Sequence, residues 1–163
     1  MSEKNKTPEQ VEKLVDFNVV RENWSAYELE DGTIIRTKLV LMSIVDSGPS
    51  DGDKRKLGFS TQNLVAQFSP MEVRGRKDQR YQTEELEKYV TQPKVNFKQT
   101  KNGGDSIYET ENSLVLVRQT VNQIDKTSKY NSDGMPAYIV RSGIEIIAQN
   151  RKIVTGEVTE SKL

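Results

Sequence analysis

The sequence predicts a mainly β domain, an antiparallel barrel or sandwich with a short N-terminal helix and one short inserted helix. Three observations carry this expectation. Strand-type residues run through Ile34–Val45, Ile107–Ile124 and Ala137–Ala148, turn residues punctuate the intervals between them, and helix-start signals are confined to two short polar segments.

The helix signals come first and third along the chain. Thr7-Pro8-Glu9-Gln10 places a capping residue, a first-turn proline and a capping-box Gln in order, which predicts a helix to about Asp16. Thr83-Glu84-Glu85 predicts a second helix over residues 83–90, with Thr83 as its cap and two acids at its positive end. Residues 1–16 thus read as a polar tail and short helix, residues 17–160 as one β domain, and residues 161–163 as a frayed C-terminus.

Between the helices, Phe17–Trp24 is extended in character and leads into the clearest hairpin, Tyr27–Val45. Asp31-Gly32 is the dipeptide of a tight type I′ turn. After it, Ile35, Thr37, Leu39, Leu41, Ser43 and Val45 share one face, and the strand is expected to begin half-exposed and end buried on both faces. Asp46–Gly58 reads as a loop, then Phe59–Phe68 as a strand with Leu64, Ala66 and Phe68 inward, closed by Ser69-Pro70.

Beyond the second helix, Lys94–Thr100 is a weak edge strand and Lys101–Asp105 a turn. Leu114–Val117 is apolar on both faces, as in a central strand. A polar loop from Asp125 to Pro136 precedes Ala137–Ala148, in which Gly143 marks a bulge or bend. Ile153–Val158 adds one short strand. Ile34–Leu39, Leu116–Val121 and Ile139–Ile144 share an outline of two apolar residues followed by one or more polar ones, but no fixed period relates them. A duplicated β unit would explain that likeness; strand composition alone would also generate it and is the favoured reading.

Composition narrows the function. Lys plus Arg and Asp plus Glu each number 24 in 163 residues, so no global field draws the protein to nucleic acid or to an anionic membrane. There is no Cys and no His, which removes disulfides, thiolate chemistry, the usual general base and the commonest metal ligand. A mean hydropathy of -0.71 and the absence of long apolar runs predict a cytoplasmic protein without a membrane span. Neither a cofactor nor a metal is expected. Asp46, Asp51 and Asp53 lack the alternation and closing Glu of a calcium loop.

Two cationic clusters remain: Lys54, Arg55 and Lys56, and a second loop with Arg74, Arg76, Lys77, Arg80 and Tyr81. Cations beside an aromatic ring hold phosphates while the ring stacks on a base, so a rim formed by both loops would bind nucleic acid. That reading is an alternative. The favoured one is a non-enzymatic binding or assembly module for a protein partner, acting through the loops of the β domain. A carboxylate-based enzyme is a further alternative, since paired acids meet through the fold and not through sequence spacing.

Overall fold

A computed structural model describes residues 12–49, 55–76, 81–150, 153–154 and 157–158, with side chains described for residues 12–48, 56–76 and 81–150. The strands in chain order are β1 (Lys13–Val15), β2 (Asn18–Arg21), β3 (Ser25–Leu29), β4 (Ile34–Pro49), β5 (Arg55–Phe68), β6 (Val90–Gln92), β7 (Phe97–Lys101), β8 (Ser106–Glu109), β9 (Ser113–Tyr130), β10 (Pro136–Asn150), β11 (Ile153–Val154) and β12 (Glu157–Val158). All the pairings are antiparallel.

Each of two five-stranded sheets is built on a long hairpin. In the first, β5 lines one edge of β4, while β3 pairs with the first part of β4 and β1 with its later part; β7 lies outside β3. In the second, β10 lines one edge of β9, β8 and β6 share the other, and β2 lies outside β8. The order of β1 to β5 therefore recurs in β6 to β10. One strand crosses over in each half, since β2 completes the second sheet and β7 completes the first. Among the described residues no strand pairing joins the two sheets and no closed barrel forms.

The recurrence extends to single residues. Ser25, Tyr27, Glu28 and Glu30 lie 81 positions before Ser106, Tyr108, Glu109 and Glu111. The hairpin after β8 is one residue shorter than the one after β3, so Ile35 then matches Val115 and Ile44 matches Ile124, and all four are buried. The β4–β5 ladder skips Met42 and the β9–β10 ladder skips its counterpart Asn122, so both halves carry a bulge at the same place. Two of the stretches whose outlines look alike, Ile34–Leu39 and Leu116–Val121, lie in the counterpart strands β4 and β9, but the structure matches Ile34 with Leu114, two residues before Leu116.

The core has two clusters, and both halves contribute to each. Leu39, Leu41 and Ile44 pack with Tyr108, Val115 and Val117, while Tyr27, Leu29 and Ile35 pack with Val95 and Ile124. Burying such side chains is worth about 2 kcal/mol apiece. Neither half has a complete core of its own.

Several expectations require correction. Lys13–Val15, the expected last turn of the N-terminal helix, is a strand paired with β4; the segment before residue 12 lies outside the described residues. Strand pairing supplies backbone partners that so short a helix could not sustain alone. The Asp31-Gly32 turn is not type I′. Gly32 N donates to Leu29 O and Leu29 N to Thr33 O, enclosing three residues, and the positive φ of 89° falls on Gly32 alone. Asp31 stays outside that region and accepts a hydrogen bond from Thr33 N.

The bulge at Met42 also reverses the alternation of β4, so that Ile44, not Ser43 or Val45, enters the core, and Met42 itself is 54% exposed. β4 and β9 both outrun their expected ends, at Val45 and Ile124. β4 reaches Pro49, and β5 begins at Arg55, shortening the expected loop. β9 continues to Tyr130 because Asp125 and Thr127, polar yet buried, find hydrogen-bond partners, Lys94 N for Asp125 and Ala137 O for Thr127. Gly143 pairs regularly with Thr120; the bulge belongs to Asn122. The inserted helix is a 3-10 helix over Thr83–Tyr89 with Gln82, not Thr83, at its N-cap. The expected single strand near the C-terminus is the pair β11 and β12. The weak edge strand is observed as β7.

Candidate functional site

Of the cationic residues, Lys56, Arg74 and Arg76 have described side chains, and Lys56 and Arg74 lie toward opposite ends of β5. Lys56 is exposed near the start of β5, whereas Arg74 follows the end of that strand; the twelve residue steps from Lys56 to Phe68 span about 40 Å when extended. Arg74 is held in place, donating from Nε to Ser69 O at 2.9 Å with its guanidinium 5.4 Å from the Phe68 ring. Gly75 N donates to Gly134 O at 2.8 Å, which docks this loop onto the β9–β10 connection. Arg76 is exposed and Tyr81 half-buried. Lys54, Lys77 and Arg80 lie outside the described residues, as does the side chain of Arg55.

The acidic residues with the clearest partners act as cross-links. Asp31 accepts hydrogen bonds from Tyr138 Oη and Thr33 N, with Lys126 Nζ 3.3 Å away. Burial pushes the Asp31 carboxyl up, but those hydrogen bonds and the Lys126 ammonium outweigh it and hold it below the ordinary value. Asp125, only 2% exposed, accepts from Lys94 N, Gln123 Nε2 and Arg141 Nε, and Arg141 reaches on to both oxygens of Glu87. Burial opposes the Asp125 charge, and these donors again hold its carboxyl low. Asp105 is gripped by Arg118 through two bonds of 2.9 and 3.0 Å.

Tyr108 has no exposed surface; its hydroxyl donates to Glu22 Oε2 at 2.5 Å and accepts from Leu41 N at 3.0 Å. Burial first, then Glu22, pushes its hydroxyl up to about 12. Trp24 is half-buried, with Lys38 Nζ 5.2 Å from its ring centre. Among the described residues no group of three or more acids is placed to hold a metal ion, and no helix is long and apolar enough to cross a membrane.

Two clefts repeat with the halves. One, of about 690 Å³, is lined by residues including Asp16, Phe17, Asn18, Glu109 and Glu111. Its counterpart, of about 390 Å³, is lined by Asn96, Phe97, Lys98, Glu28 and Glu30. In the smaller cleft Glu30 accepts from Gln92 Nε2 and Asn96 N, and Lys98 lies 3.8 Å from Glu28. Its polar groups thus have partners within the chain.

The remaining feature is the free edge of β5. Among the described residues β5 pairs with β4 alone. From Leu57 to Phe68 it contains no charged residue and no proline, the devices that ordinarily keep a long edge strand from pairing further. Residues facing Ile35, Thr37 and Leu39 across the ladder are Gln67, Val65 and Asn63, so the odd positions point toward the core. Leu64, Ala66 and Phe68, expected to point inward, face away from it. Phe68 is 58% exposed and Val65, at the sheet's margin, 50%. The counterpart edge of β10 carries Arg141 and Glu145 in mid-strand.

No known protein family, curated protein or solved structure matches the chain. The sequence signal for the β5 edge was available: an uncharged run of strand residues before Ser69-Pro70, interpretable as an edge only once its single partner strand is known.

Proposed function

We propose that this chain is a non-enzymatic assembly module that receives a partner's β-strand along the open edge of β5. The observation that carries this reading is the charge-free and proline-free edge from Leu57 to Phe68, which among the described residues has no partner beyond β4. A strand added there satisfies a row of backbone donors and acceptors at once and covers Val65 and Phe68. The structural engagement of Asp31, Asp105 and Asp125 supports binding in preference to carboxylate catalysis. The loops are then spacers at the ends of the sheet, and the docking surface is the strand between them.

Site-specific photo-cross-linking in the native host tests the reading. A cross-linking residue at Gln62, exposed on β5, is expected to give discrete adducts that the same residue at exposed Glu84 does not. Equal labelling from both positions, or none from Gln62, overturns it.

A further inference from the structure

We infer that the strand received by β5 is β5 of a second copy of this chain, an inference that rests on the reading of β5 as a docking edge. Self-pairing places any charge near the symmetry axis close to its own copy, and this strand offers none from Leu57 to Phe68. The residues also complement themselves. With Asn63 on the two-fold axis and the strands antiparallel, Thr61 meets Val65 and Gly58 meets Phe68 of the other copy. Residues of like parity then oppose one another, so the core-facing sides of both sheets remain on one side and the sheet continues from copy to copy.

Each of these contacts answers a feature of the single chain. Phe68, more than half exposed, covers a glycine, a pairing in which the ring occupies the space that the missing side chain leaves. A Cβ added at Gly58 meets only Val45 O, at 3.9 Å, so the position has room beside it. Val65, half exposed, gains a β-branched neighbour in Thr61. The chain already joins its own halves by antiparallel strand pairing, β2 with β8 and β3 with β7. A two-fold contact through β5 is self-complementary and closes as a dimer.

Sedimentation equilibrium on the full chain tests this. The wild type is expected to reach twice the chain mass as concentration rises. Asn63→Lys and Asn63→Glu, changes at an exposed position, are each expected to stay at the single-chain mass with unchanged circular dichroism, and an equal mixture of the two is expected to return to twice that mass. Wild type that keeps the single-chain mass at every concentration overturns the inference, as does Asn63→Lys associating as well as wild type. Should the variants unfold, amide exchange on wild type decides: β5 amides slow with rising concentration if copies pair there, and unchanged rates overturn the pairing. A single-chain mass together with adducts from Gln62 to another protein rejects self-pairing and retains the docking edge; a single-chain mass with no such adducts rejects both.

Discussion

The ring of Phe17 stands edge-on to that of Tyr108, with centroids 5.6 Å apart and planes at 89°. Phe97 meets Tyr27 in the same way, at 5.8 Å and 78°. Phe17 and Phe97 are counterparts in the two halves, as are Tyr27 and Tyr108, so each contact joins one half to the other. Such pairs contribute about 1 kcal/mol beyond the area they bury.

The two tyrosines differ at their hydroxyls, and this gives a first prediction. Tyr108→Phe leaves Leu41 N, a buried donor, without its partner, and is expected to lower stability by about 1–3 kcal/mol. Tyr27 Oη accepts from Gln99 at 3.4 Å, a longer and weaker bond. Tyr27→Phe is therefore expected to cost less. Urea denaturation of both variants measures the difference.

Asp125 gathers donors from three segments, and Asp125→Ala strips all of them of an acceptor. The expected loss is about 3 kcal/mol, read from the denaturation midpoint. Lys94, whose positive φ of 56° is held next to this carboxylate, is expected to lose amide-exchange protection in the same variant.

Acid is expected to loosen the fold before mild alkali does. Asp31 and Asp125 are opposed by burial but held low by their donors, and Asp105 is held low first by the Arg118 hydrogen bonds. A carboxyl depressed in the folded state contributes stability above its unfolded value, lost as pH falls through the folded value. Melting temperature should therefore drop below about pH 4. Tyr108 has the opposite sign: raised to about 12, it contributes stability that is complete below about pH 10 and lost as pH climbs toward 12. With no His in the chain, melts between pH 5 and 9 are expected to be nearly flat.

Gly32→Val is expected to destabilise by about 1–2 kcal/mol, since the position holds φ at 89° and the new Cβ lies 3.1 Å from Pro70 Cγ. Gly143→Ala, at ordinary φ and with its nearest neighbour, Asn122 Nδ2, at 3.7 Å, is the control and should leave the thermal melt unchanged.

The β3–β4 hairpin was legible in the residues because Asp31-Gly32 and the alternation of Ile35, Thr37 and Leu39 are local signals, whereas Ile107–Ile124 read as one run and is a second hairpin, β8 with β9. The bulges at Met42 and Asn122 were not, because nothing local marks the residue a ladder will skip, and one skipped residue reverses every side chain after it. The burial of Asp125 was hidden for a related reason: two of its donors, Lys94 N and Arg141 Nε, lie on other segments, so the residue reads as loop until they are in place. The repeat was present as the Ser-x-Tyr-Glu-x-Glu pattern at Ser25 and Ser106, but strand-like runs elsewhere drew the comparison away from it. The β5 edge was the least legible, since an uncharged strand looks the same whether its neighbours are one or two.

The exchange of β2 and β7 between sheets governs how the chain comes into being at the ribosome. The first sheet must wait for residues 97–101 before its β3 edge is filled, and β2 has no partner until β8 has been made. The N-terminal half therefore emerges during translation with strand edges that nothing yet caps. Contacts so distant along the chain make folding slow and leave the nascent polypeptide exposed to premature association. Each edge stays open until its partner strand, encoded about 80 residues later, has been made.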